Sequence, residues 1–138
     1  MGIVIDYNRM PDEESRGSKL LVYAANMREM VDSKSVGKEL ADELLKCAPN
    51  RRSIKLEQIF IRVLDVFWDG AIIRDIDVMF NPEYQVDVLK LMISARKRKK
   101  YSVIWPGSLK DNKLIYAEEG YQDYKVFDLA DYDIICVR

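Results

Sequence analysis

No histidine occurs among the 138 residues. Its absence excludes Ser-His-Asp and Cys-His nucleophilic arrangements and any histidine-ligated metal within the chain. Cysteine is nearly as scarce. Cys47 and Cys136 stand apart without C-x-x-C spacing, so neither a disulfide framework nor a zinc site is expected, and a reducing cytoplasm is the implied address. Long apolar runs are missing too: none approaches the roughly 18 residues that a membrane helix needs. The opening MGIVIDYNRMPDEES has neither the basic start nor the apolar stretch of a signal peptide. A formal net charge of −1 means that no global field draws the chain to nucleic acid or to an anionic membrane. The chemistry left to such a sequence runs on carboxylates, lysines, tyrosines or a carboxylate-bound magnesium.

What is present suits one globular domain spanning residues 1–138. Apolar residues make up 49% and charged ones 33%, an ordinary balance for a chain with a single sizeable core. GIVI (2–5) reads as a short strand, followed by a polar loop broken by Pro11. Leu20, Ala24, Met27 and Val31 recur at helical spacing, which predicts a helix over 18–31, in competition with a strand reading of KLLVYAA. DSKSV (32–36) reads as a loop or a brief strand. Helices are predicted over 38–47 and over 55–67, the second ended by Gly70 in a left-handed cap position.

AIIRDIDVMF (71–80) has β-branched residues on both parities, as a strand buried on two faces does. Pro82 suits the first turn of a helix predicted over 83–98. SVIW (102–105) is a buried strand stopped by Pro106-Gly107. KLIYAEE (113–119) and YKVFDL (124–129) read as two strands joined around Gly120, and DIICVR (133–138) as a last one. Strands alternating with helices predict an α/β fold, with the final strands antiparallel at one edge.

Three pieces of the second half carry a resemblance: Phe80-Asn81-Pro82, Trp105-Pro106-Gly107 and Tyr116-Ala117-Glu118-Glu119-Gly120. With the middle-helix segment KELADELLKCAPNRRSIKLEQI, the chain over residues 36–129 resembles the small P-loop-type proteins of BREX bacteriophage-exclusion systems (the BrxF family). The first 35 residues match that pattern poorly. The resemblance implies a three-layer, P-loop-NTPase-like domain with a mainly parallel sheet. It also implies a nucleotide site and a place beside larger proteins that act on phage or host DNA.

The implied nucleotide site is altered in both halves. A phosphate-binding loop needs glycines, an in-register lysine and a magnesium-holding hydroxyl. If residues 18–31 were the helix after that loop, Ser18 would take the hydroxyl position. Gly17 then stands where lysine belongs, and Lys19 is displaced by one residue. Glu13 and Glu14 bring negative charge to where phosphates would lie. The alternative pair Gly37-Lys38 lacks the first glycine and is followed by Glu39, so it reads as a decoy. On the strand, Arg74 replaces the expected magnesium-associated aspartate, and Asp75 and Asp77 share a face by alternation. Ser18, Lys19, Asp75 and Asp77 are therefore expected to form a vestigial nucleotide site. No catalytic residue, metal or cofactor is assigned, ATP with magnesium being the minority expectation. The bland alternative makes Ser18 a helix cap and Asp75 and Asp77 polar strand-end residues.

Arg96, Lys97, Arg98, Lys99 and Lys100 form the strongest charge run. Their ordinary reading is a solvated helix C-terminus that complements the helix dipole; the functional reading is contact with a nucleic-acid backbone. Trp105, at the end of a core strand, is either a stacking residue or packing. The favoured expectation is an accessory or scaffold subunit of a BREX-like system. Such a subunit would act through contacts with other defence proteins or itself, in the cytoplasm and off the membrane. An atypical ATPase and a DNA-binding module stand as alternatives.

Overall fold

The computed structural model describes the backbone of residues 1–138 and the side chains of all of them but Glu13. Six strands form a parallel sheet: β1 (Ile3–Ile5), β2 (Leu20–Tyr23), β3 (Lys34–Ser35), β4 (Ala71–Arg74), β5 (Tyr101–Ile104) and β9 (Ile134–Val137). Their order is β1-β9-β2-β5-β4-β3. Between β5 and β9 the chain builds a separate antiparallel sheet from β6 (Ser108–Lys110), β7 (Lys113–Tyr116) and β8 (Lys125–Asp128). The expected α/β architecture is present. The antiparallel strands, however, form their own sheet instead of extending the main one, and the last strand runs parallel between β1 and β2.

Helices of more than one turn are α2 (Gly37–Leu45), α3 (Arg52–Leu64) and α4 (Val88–Arg96); α1 (Glu13–Arg16) is a single turn. Helix α3 is amphipathic as its spacing predicts, burying Leu56, Ile59, Phe60, Val63 and Leu64. Each such side chain removed from water is worth about 1.5–3 kcal/mol. Alternation along the strands divides the core. Leu20, Val22, Ile73, Val103, Ile134 and Cys136 face α2, α3, α4 and the second sheet. Leu21, Tyr23, Ile135 and Val137 face the other way, covered by Met10, Met27 and Val31. The long helices thus lie on one face, and short turns cover the other.

The helix predicted over 18–31 is not formed. Residues 20–23 are β2, and a 3-10 helix, Ala25–Glu29, follows. All four residues of β2 are buried, flanked by β9 and β5. In a parallel sheet covered on both faces a strand reads as a continuous apolar run, and LLVY is that run. The helical spacing of Leu20, Ala24, Met27 and Val31 arises because a strand passes into a tight helical turn. Tertiary placement decided against the local pattern.

Two other boundaries moved. The strand read over 71–80 ends at Arg74, because Asp75 takes a left-handed backbone (φ 66°) and Asp77–Phe80 is a 3-10 turn. The helix read over 83–98 starts at Val88. Pro82–Tyr84 forms its own 3-10 turn, Gln85 is left-handed, and Asp87 caps α4 by accepting from the Lys90 N–H at 3.0 Å.

Candidate functional site

In open α/β sheets, ligands gather outside the carboxyl ends of the strands. Here a cleft of about 280 Å³ lies at that end, bordered by Arg28, Arg74, Asp75, Asp77, Trp105 and Pro106. Asp75 ends β4 in a conformation that costs a non-glycine residue about 1–3 kcal/mol and is held there by several contacts. The Ser35 hydroxyl donates to its carboxylate at 2.5 Å, and Arg74 and Arg28 lie at 3.5 and 3.8 Å. Arg74 also donates to the Ser33 carbonyl and hydroxyl. Asp77 does not join this group; it accepts from the Tyr116 hydroxyl at 3.2 Å. The face shared by Asp75 and Asp77 in a continuous strand is therefore absent, although both border the cleft. Two arginines against two aspartates leave the cleft balanced in charge.

Gly37, at the start of α2, packs against Asp75: a Cβ there would lie 3.2 Å from the Asp75 carbonyl oxygen. Lys38 points outward to Asp42 at 3.7 Å. The Gly37-Lys38 pair is a close approach followed by a solvated ion pair. Among the described residues no group of three or more His, Cys, Asp or Glu is placed to hold a metal ion.

Ser18 and Lys19 lie at the opposite end of the sheet, just before β2 begins. Leu21 pairs with Ser102 and Ser102 with Ile72. Extending that register sets Lys19 beside Lys100 and Ala24 level with Asp75. Five residues at ~3.3 Å along the strands, and two strand spacings of ~4.8 Å across them, put the Lys19 and Asp75 backbones roughly 19 Å apart. A phosphate-binding lysine and a magnesium carboxylate must share one phosphate group. These residues do not fit an ATP-magnesium complex. The loop before β2 also fails as a phosphate cradle because it enters a strand, so no helix N-terminus faces the phosphates. Ser18 caps no helix, and Lys19 pairs with Asp133 at 3.3 Å.

The basic run closes α4 and leads into β5, and so reaches the same amino end. Lys99 pairs with Asp69 at 3.2 Å. Arg96 and Lys100 join Arg16, Gly17 and Lys19 around a cavity of about 70 Å³. Sequence reading kept these cations apart, assigning Lys19 to a nucleotide and 96–100 to nucleic acid, and left out Arg16. The signal that unites them is the β2–β5 register, which a sequence does not print.

The three pieces that carry the resemblance meet in one aromatic cluster. Phe80 stacks on Tyr116 at 4.0 Å and 12°. Trp105 meets Phe80 and Phe127 edge-on at 5.5 Å each. Trp105 is 1% exposed, and its indole N–H donates to the Ile115 carbonyl at 2.9 Å; it is a packing residue with no face free for stacking. Gly107 is required beside it, since a Cβ would collide with the Ile115 carbonyl oxygen. Burial first, then the Asp77 carboxylate, pushes the Tyr116 hydroxyl up to about 12. These motifs lock the second sheet onto the first.

The class that fold and cleft define is thus an α/β protein with a six-stranded parallel sheet and a small antiparallel sheet. Among the described residues no helix is long and apolar enough to cross a membrane. Scanned against protein-family models, curated proteins and solved structures, the chain matches none of them.

Proposed function

We propose that the chain is an accessory subunit that acts through protein contacts and has no nucleotide hydrolysis of its own. The setting we propose, from the resemblance over residues 36–129, is a BREX-like phage-defence system. The observation that carries the non-catalytic reading is the register: Ser18 and Lys19 precede β2, whereas Asp75 and Asp77 follow β4. The balanced cleft adds support, because a triphosphate needs an excess of positive charge that Arg28 and Arg74, both beside Asp75, do not supply. Exposed apolar side chains on and beside the α2–α3 pair, Leu45, Ile54 and Val66, suit a chain that contacts other proteins.

Co-expression with the proteins encoded beside it tests the accessory role. The expected result is stoichiometric co-elution with one of them through size-exclusion chromatography. Self-association alone, with every neighbour eluting separately, would refute it.

A further inference from the structure

We propose that the amino end of the parallel sheet binds single-stranded nucleic acid, taking a backbone phosphate between Arg16, Lys19, Arg96 and Lys100. This goes beyond the accessory role and does not depend on it. Two chain segments far apart in sequence supply the cations. The turn after α1 brings Arg16 and Lys19, and the end of α4 brings Arg96 and Lys100. The Arg16 Nε–H donates to the Pro11 and Asp12 carbonyls at 3.0 and 3.3 Å. That anchors the guanidinium while its terminal nitrogens stay available. Gly17 and Gly70, both with positive φ, border the cavity where it meets open space, an added Cβ at either having nothing within 4 Å.

Lys97 and Arg98 extend the positive surface; both are exposed, and neither has an ion-pair partner among the described residues. At this end Lys19 pairs with Asp133, 45% and 62% exposed, and Lys99 pairs with Asp69, 17% and 74% exposed. The exposed Lys19–Asp133 pair holds by about 0–1 kcal/mol, so phosphate can displace it. The longest basic run of a chain of net charge −1 lies at this end, so positive charge is gathered where the strand docks.

Trp68 selects a single strand over a duplex. It lies just before β4, at this same end, and its ring is 59% exposed with the Lys34 ammonium 5.4 Å from its centre. An exposed indole at the same end of the sheet as these cations offers a face on which an unpaired base can stack.

The test is fluorescence anisotropy of the full chain with a labelled single-stranded oligonucleotide across a salt series. Saturable binding that weakens steeply with salt is expected. In Lys97→Ala/Arg98→Ala the slope of log affinity against log salt should shrink by about 1.4, at ~0.7 per lost phosphate contact. Both positions are on the surface, so the fold should survive, and circular dichroism checks that. Trp68→Ala should weaken the single strand several-fold and leave duplex binding unchanged. Lys125→Ala, on β8 in the other sheet, should bind as the parent does. The inference is overturned by no binding at low salt, by an unchanged slope in the double variant, or by an equal loss in Lys125→Ala. Binding to anionic vesicles without binding to the oligonucleotide overturns it as well, in favour of a membrane surface.

Discussion

Replacing Trp105 with alanine separates a packing role from a ligand-stacking one. The indole is 1% exposed, touches Phe80 and Phe127 edge-on at 5.5 Å, and donates to the Ile115 carbonyl at 2.9 Å. Truncating a buried tryptophan to alanine costs about 3–5 kcal/mol through lost contacts and the cavity left behind. The Ile115 carbonyl, deprived of its donor, pushes the value toward the upper end. Across 138 residues, an unfolding entropy of ~2.1 cal/mol/K per residue is ~0.29 kcal/mol/K, so a loss of ~4 kcal/mol lowers Tm by ~14 °C. Urea unfolding should show the same loss as a lower midpoint with an unchanged slope. Trp68→Ala is the control. Its ring is 59% exposed, and removing its contact with Lys34 should cost only about 0.5–1 kcal/mol. A loss below about 1 kcal/mol in Trp105→Ala, or equal losses in the two variants, would refute the reasoning.

Three further outcomes are expected. Gly107→Ala should destabilise the fold by about 1–3 kcal/mol in urea, because its Cβ collides with the Ile115 carbonyl oxygen; a neutral result would mean that β7 yields there. Burial pushes the Cys136 thiol up to about 12, whereas Cys47 is partly exposed. A thiol reagent should therefore modify Cys47 alone in the native protein and both cysteines in denaturant; fast native reaction at Cys136 would contradict its place in the core. Tyr116 is raised to about 12 from an unfolded value of about 10. The stability it contributes is full below pH ~10 and is lost as pH climbs through about 12. Tyr116→Phe should therefore lose less of its urea midpoint than the parent over that interval, and an equal loss would count against the shift.

The sequence disclosed its helices better than its strands, for physical reasons. Helix α3 carries its own amphipathic period, and that period survives in the fold because it packs on one face only. LLVY was ambiguous because a strand buried on both faces has no period of its own; only its neighbours β9 and β5 decide it. The β6–β7 hairpin escaped notice because Asp111 and Asn112, both left-handed, turn it without the Asn-Gly or Asp-Gly pair that signals such turns. The candidate site was legible by residue type and not by placement. Residue type groups Lys19 with Asp75, but a shift from helix to strand at residue 20 puts them at opposite ends of the sheet. The basic run 96–100 was visible at once. That it would meet Arg16 and Lys19 depended on the pairing of β2 with β5, which joins residues about eighty apart in sequence.

Titration calorimetry with Mg-ATP asks directly whether a nucleotide site spans Lys19 and Asp75. No saturable heat is expected with the parent protein, and the same flat trace with Lys19→Ala and Asp75→Ala. Micromolar binding by the parent that is lost in both variants would contradict it, because that result requires the two ends of the sheet to hold one nucleotide.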